Sequence, residues 1–123
     1  MQAATGVDLI EIDRIAHTVE RFGQRFLDRV YTEREQRYCR HRTERLAGRF
    51  AAKEAVSKAL GIGIRRLRWR DIEILPNAEG KPEVILHGSA EQAATQRHIT
   101  GLSVSITHSR DLAAAVVMGW EAR

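Results

Sequence analysis

Gly48-Arg49-Phe50-Ala51-Ala52-Lys53-Glu54-Ala55-Val56-Ser57-Lys58-Ala59-Leu60-Gly61 is the stretch on which the fold turns. Nearly every residue is a good helix former, no proline interrupts, and Gly61 stands where a helix end favours a residue able to take positive φ. A helix over residues 45–60 follows. At about 100° per residue, Gly48, Ala51, Ala52, Ala55, Val56 and Ala59 share one side. That side is apolar and built of small residues, so another element can approach closely and the helix is expected at the centre of the domain. On the far edge Glu54 and Lys58 lie one turn apart, with Phe50 and Ser57 beside Glu54. Lys53 points away from Glu54, toward a different part of any ligand. The edge has two interpretations. One is an i,i+4 surface ion pair worth roughly 0.2–0.5 kcal/mol. The other is a polar rim that binds a metal and an anionic substrate, which requires a second carboxylate from elsewhere.

Working outward, the 123 residues suit one domain with a single core, spanning 1–123. Apolar content of 43% and charged content of 29% are those of a soluble globular protein. No apolar run reaches the length of a membrane span, and the N-terminus lacks the basic-then-apolar pattern of a signal peptide, so no membrane role is expected. The lone Cys39 excludes an internal disulfide, and a reducing cytoplasm is the expected setting. A net charge of +4 and a pI of about 9.8 point to an acidic partner: nucleic acid, a phosphorylated cofactor or an acidic protein.

Thr5 to Ile10 reads as a first strand, with Gly6 allowing close backbone approach. Asp8, inside it, must be paired, bound to a cation or turned out of the sheet. Asp13 is a candidate cap for a helix in which Ile12, Ile15, Val19, Phe22, Phe26 and Val30 recur at spacings of three and four, loosened or bent at Gly23. On its opposite side Arg14, Arg21 and Arg25 project within about 40° of one another. Such a stripe is either a solvated face or a docking surface for an acidic partner. Thr32-Glu33-Arg34-Glu35 has the form of a capping box and starts a short helix to about Arg40.

After Gly61-Ile62-Gly63 the period changes to two. Residues 71–75 and 82–87 read as strands around a turn, and Ser89-Ala90-Glu91-Gln92 as a second capping box opening a helix to about His98. Leu102, Val104 and Ile106 alternate with Ser103, Ser105 and Thr107, and Leu112 to Met118 is almost continuously apolar. These are two strands joined by residues 108–111. The fold class expected is α+β, one domain with helices packed on a largely antiparallel sheet.

Two separated pieces then combine: Gly6-x-Asp8 followed by Arg14, and Phe50-x-x-Lys53-Glu54-x-x-x-Lys58. In that order and at that distance they resemble the two signature motifs of the 4′-phosphopantetheinyl transferases. Ser105-Ile106-Thr107-His108-Ser109 and the Ala-rich strand after it resemble the small bacterial branch, holo-(acyl carrier protein) synthase. Larger members carry a second acidic residue two positions after the Asp, where this chain has Ile10. A third protein carboxylate on the metal is therefore not expected, and water takes its place.

The resemblance implies attack by a serine of apo-acyl carrier protein on the phosphorus of coenzyme A that bears the pantetheine arm. Adenosine 3′,5′-bisphosphate is released, in support of fatty acid biosynthesis. It implies Mg²⁺ on Asp8 and Glu54, an oxygen site of the kind that ion favours. Lys58 adds a cation to the phosphates, and either a metal-bound water or Glu54 accepts the serine proton. Asp8, Glu54, Lys58 and His108 are the expected catalytic residues. Arg49, Lys53, Ser57, Lys58, Gly61, Pro82 and His108 are expected along coenzyme A, although His108 has an alternative as a residue that merely caps its hairpin. Arg14, Arg21 and Arg25 are expected to meet the acidic carrier. The branch is typically homotrimeric, with coenzyme A between neighbours. A small nucleic-acid binder would explain the charge, but the arginines are not interleaved with exposed aromatics and no standard binding motif is present, so no nucleic acid is expected. An inert interaction domain would leave the Asp8 and Glu54 pairing without a purpose.

Overall fold

The computed structural model describes residues 3–122. In chain order the elements are β1 (Ala4–Glu11), α1 (Ile12–Phe22), α2 (Gln24–Val30), α3 (Glu33–Cys39) and α4 (Thr43–Leu60). Two 3₁₀ turns follow (Ile64–Arg66 and Trp69–Asp71), then β2 (Ile72–Pro76), β3 (Pro82–Leu86), α5 (Gly88–Gln96), β4 (Gly101–His108) and β5 (Leu112–Trp120). This is the expected α+β class. All pairings are antiparallel, but they form two sheets rather than one: β1-β5-β4, and the β2-β3 hairpin.

α4 is the centre, as its small face requires. Gly48, Ala51, Ala52, Ala55, Val56 and Ala59 are all buried, and twelve of the eighteen residues of the helix are out of solvent. The helix lies across the three-stranded sheet at backbone contact distance. A Cβ placed on Gly6 would stand 1.9 Å from the carbonyl oxygen of Ala55, and one on Gly48 would meet Ile106 at 2.9 Å. No other residue type fits at position 6 without moving β1 off the helix. Gly61 closes α4 in the left-handed region, with φ 73°.

Three local expectations are corrected. The long amphipathic helix is two helices, because Gly23 takes φ 57° and ψ −134° and interrupts the hydrogen-bond ladder. Phe22, expected in the apolar seam, is consequently exposed beneath the guanidinium of Arg21. Asp13 caps nothing: Glu11 holds the N-cap position without a side-chain bond, and Asp13 lies in the first turn, where its charge still suits the helix dipole. The box at Ser89 does not form either. α5 begins at Gly88, so Ser89 lies inside the first turn, and its amide and hydroxyl both donate to the Asp71 carboxylate, at 2.9 and 2.7 Å. The box at Thr32 is present in both halves, with Glu35 accepting from the Thr32 amide at 2.9 Å.

Candidate active site

Strand alternation sends Gly6, Asp8 and Ile10 of β1 toward α4, and Val7 and Leu9 away from it. Because Gly6 lets the strand touch the helix at Ala55 and Ala59, Asp8 meets the adjoining residues Glu54 and Lys58 of α4. The ammonium of Lys58 donates to Asp8 Oδ1 at 3.2 Å and to the carbonyl of Val7 at 3.0 Å. Glu54 is close enough that its pKa is raised, first by burial, then by the charge and hydrogen bond of Asp8, against the opposing pull of Lys58 and Arg14. Asp8 is therefore paired and faces inward. Asp8, Glu54 and Lys58, far apart in sequence, form one polar site with Arg14 within electrostatic reach.

Two carboxylates held close together, the pKa of one raised by burial and then by the other, make a place where a divalent cation relieves repulsion. Oxygen donors of this kind suit a hard ion such as Mg²⁺. Among the described residues no group of three His, Cys, Asp or Glu side chains is placed to hold a metal ion. A cation here would hold two protein carboxylates and take its remaining oxygens from substrate and water.

A second hollow, about 350 Å³, is lined by Arg49, Pro82 and His108 together with Tyr38, Arg42, Glu44, Arg45, Gly80 and Ile106. Arg49 is buried, and its Nε has no hydrogen-bond partner among the described residues. Its guanidinium covers the Tyr38 ring at 4.3 Å while that of Arg45 covers the same ring at 4.7 Å. The guanidiniums of Arg42, Arg45 and Arg49 outnumber the single carboxylate of Glu44, so the hollow is net basic and suited to an anion such as phosphate. His108 is exposed at the end of β4 and does not cap its hairpin. Ser109 closes that turn, its amide donating to the Leu112 carbonyl at 2.8 Å and its hydroxyl accepting from the Leu112 amide at 3.2 Å. Tyr38, Arg42 and Arg45 went unnoticed in the sequence, although 42, 45 and 49 recur at helical spacing.

Lys53 is not where a ligand residue would be. Its side chain is fully buried; its ammonium donates to Glu35 at 2.8 Å, to the Trp69 carbonyl at 3.0 Å and to the Ile72 carbonyl. Burial pushes its pKa down and the Glu35 carboxylate opposes that. All three N–H groups have acceptors, so the ammonium ties α3, α4 and β2 together and has no donor free for coenzyme A. Ser57 is also buried and donates to the Glu54 carbonyl at 2.7 Å, steadying the turn that carries Glu54. Gly61 is exposed at the helix end. Arg14, Arg21 and Arg25 are all exposed, but the break at Gly23 separates Arg25 from the other two. Arg14 and Arg21 share a shallow surface with His17 and Phe22, and Arg25 stands on α2.

Residues 4–117 match the family described as the 4′-phosphopantetheinyl transferase superfamily. A holo-[acyl-carrier-protein] synthase of Herpetosiphon aurantiacus is 50% identical over 122 residues, covering 94% of this chain and 96% of the relative. The crystal structure of the Helicobacter pylori holo-[acyl-carrier-protein] synthase in complex with coenzyme A is 36% identical, with a TM-score of 0.86 over 94% of this chain and 99% of that one. That of the Neisseria meningitidis synthase is 33% identical, with a TM-score of 0.88 over 96% and 98%. With the motifs, the fold and the converged site in agreement, the chain belongs to the 4′-phosphopantetheinyl transferase superfamily, within its holo-[acyl-carrier-protein] synthase branch, and is an enzyme of that transferase class.

Proposed function

We propose that this protein, as a single transferase domain, moves the 4′-phosphopantetheine group of coenzyme A onto a serine of apo-acyl carrier protein. The reaction is Mg²⁺-dependent, releases adenosine 3′,5′-bisphosphate and serves fatty acid biosynthesis in the cytoplasm. The observation that carries this reading is the convergence of Asp8, Glu54 and Lys58 where Gly6 brings β1 onto α4.

Asp8 and Glu54 hold the Mg²⁺, which when bound supplies charge neutralisation for the diphosphate. Lys58, whose side chain is half open to solvent while its ammonium rests on Asp8, offers a cation to the same phosphate oxygens. The serine oxygen forms the new bond to the phosphorus bearing the pantetheine arm, and the bond from that phosphorus to the nucleotide oxygen breaks. Glu54 or a water at this site accepts the serine proton. Ser57 and Lys53 act on the scaffold beneath these groups.

Arg49, His108 and Pro82 bind the phosphorylated adenosine end. They face β3 and β4 on one flank of α4, whereas Glu54 and Lys58 face β1 on the other. One coenzyme A would engage both groups across neighbouring copies, as in the homotrimer with coenzyme A between subunits that the family resemblance implies. The outer face of the β1-β5-β4 sheet supports it further. Val7, Leu9, Val116 and Met118 are 59%, 62%, 55% and 51% exposed; Val7 is opposite Val116, with Leu9 and Met118 each two residues along their own strands, and together they make an apolar patch of the kind that a monomer seldom leaves in water.

Incubation of the protein with coenzyme A, Mg²⁺ and apo-carrier, read by intact mass, tests the function. A phosphopantetheine-sized gain on the carrier is expected, abolished by chelator. A carrier mass unchanged under saturating conditions refutes it.

A further inference from the structure

The segment Gly63-Ile64-Arg65-Arg66-Leu67-Arg68-Trp69-Arg70-Asp71 has no part in the chemistry above. It carries four arginines in six positions. Its apolar residues turn inward: Leu67 is buried, and Ile64 and Trp69 pack against the core. The Trp69 ring stacks on Phe50 at 4.6 Å, its carbonyl accepts from Lys53 at 3.0 Å, and the Arg68 amide donates to the Ser89 hydroxyl at 3.4 Å. The backbone is thus tied down from beneath while Arg65, Arg66, Arg68 and Arg70 are exposed.

Arg29 of α2 joins them. Arg29, Arg65, Arg68 and Arg70 line, with Glu54, an open hollow of about 1060 Å³. Among the described residues none of these five arginines forms an ion pair. Of the two aspartates in the wall, Asp71 is engaged by the Ser89 amide and hydroxyl at 2.9 and 2.7 Å. Asp28 is engaged by Gln24 and Gln36, whose hydrogen bonds hold its carboxyl below the usual range, with the charge of Arg70 adding to them. Guanidiniums fixed on a rigid backbone and left unpaired repel one another, and a docked polyanionic surface removes that repulsion.

Geometry identifies the polyanion. A carrier serine reacting beside Glu54 brings a folded protein against the surface around Glu54. A patch of about 800 Å² per partner has a radius of roughly 16 Å. Arg29, Arg65, Arg68 and Arg70 share the wall of one hollow with Glu54, so a footprint of that size centred on Glu54 reaches onto the arginine segment. We propose that Arg65, Arg66, Arg68 and Arg70, with Arg29, form a second docking surface for the acidic carrier protein, supplied by a different part of the chain from Arg14 and Arg21. This rests on the carrier being the acceptor, as argued above, and extends it to a two-sided clamp around the reacting serine.

The test uses the whole chain, with Arg65→Glu/Arg68→Glu and the charge-keeping Arg65→Lys/Arg68→Lys, each checked by thermal melting. Should the reversed variant melt early, the neutral Arg65→Gln/Arg68→Gln replaces it. Initial rates against carrier and coenzyme A are measured across a salt series, and carrier binding is titrated separately without coenzyme A. Expected are a KM for carrier raised at least about tenfold in the reversed variant, a flatter salt dependence, matching loss in the titration, and near-normal values for the lysine variant and for coenzyme A. Unchanged carrier KM, titration and salt response overturn the proposal, since the arginines are then a solvated ridge. A rise confined to the KM for coenzyme A also overturns it, because the segment then binds nucleotide phosphate. Failure of the wild type to modify the carrier refutes the transferase reading instead, and the titration still reports on the docking surface.

Discussion

Lys53 and Glu35 form an ion pair at 2.8 Å with both side chains wholly shielded from solvent. Glu35 also accepts from the amides of Thr32 and Ile74, so one carboxylate joins the start of α3, the middle of α4 and strand β2. Removing only the lysine leaves a buried charge with two amide partners and no counter-ion. Lys53→Met is expected to lower stability by about 3–5 kcal/mol in urea denaturation, whereas Lys53→Met combined with Glu35→Gln recovers a substantial part of it. A single variant as stable as wild type would show that the pair contributes nothing to the fold.

Asp8→Asn and Glu54→Gln keep size while removing the charge that a divalent cation requires. Transfer activity should fall by orders of magnitude in both, with the melting temperature retained, because neither side chain packs into the apolar core. Near-normal turnover of both variants at limiting Mg²⁺ would remove these residues from the metal site. Gly6→Ala should reach the same loss of activity by another route. Its Cβ cannot share space with the Ala55 carbonyl, so β1 must shift and carry Asp8 with it, at a cost of about 1–3 kcal/mol or more in stability.

Burial and the charge of Asp8 raise the Glu54 pKa above its ordinary 4.5 in the folded protein. Proton and cation compete for that carboxylate, so Mg²⁺ affinity should be weak below the raised value, climb as pH passes through it and level off above. Stability without metal runs the opposite way: a raised carboxylate pKa makes the folded state bind the proton more tightly, so the Glu54 contribution becomes less favourable as pH rises through the window. Calorimetric Mg²⁺ titration in two buffers of different ionisation enthalpy should detect proton release within that window and none well above it. An affinity independent of pH from about 4.5 upward would contradict the assignment.

The exposed outer face of the three-stranded sheet predicts assembly. Val7 and Val116 are direct partners across β1 and β5, and Leu9 lies two residues beyond. Val116→Glu should yield a folded monomer in sedimentation and, if coenzyme A spans two copies, a large rise in its KM. A fully active wild-type monomer would rule out both the trimer and the shared site.

Arg14→Glu with Arg21→Glu reverses charge on α1 without touching the buried residues Ile15 of α1 and Leu27 of α2. The KM for carrier should rise by about tenfold, which is about 1.4 kcal/mol, with a weakened salt dependence, while that for coenzyme A stays close to normal. Arg25→Glu alone should matter less, because Gly23 places it on another helix. Equal effects of all three arginines would mean that the break does not separate them functionally.

The sequence by itself determined the parts governed by local rules. Small residues on one face of residues 45–60 mark a central helix, period-two alternation marks the strands, and the Thr32 box marks a helix start. The paired motifs single out Asp8, Glu54 and Lys58. Tertiary structure alone decided what depends on which groups meet in space. Lys53 belongs to a motif that suggests chemistry, yet its partner Glu35 is eighteen residues away and only the packing of α3 on α4 shows that the ammonium is enclosed. Gly23 reads as a bend, and whether a glycine bends or breaks a helix depends on what the segments on either side pack against. The outward turn of Val7 and Leu9, with Asp8 facing in, reverses the usual arrangement of a half-buried strand. Alternation fixes which residues share a face, and only the position of α4 decides which face is inside.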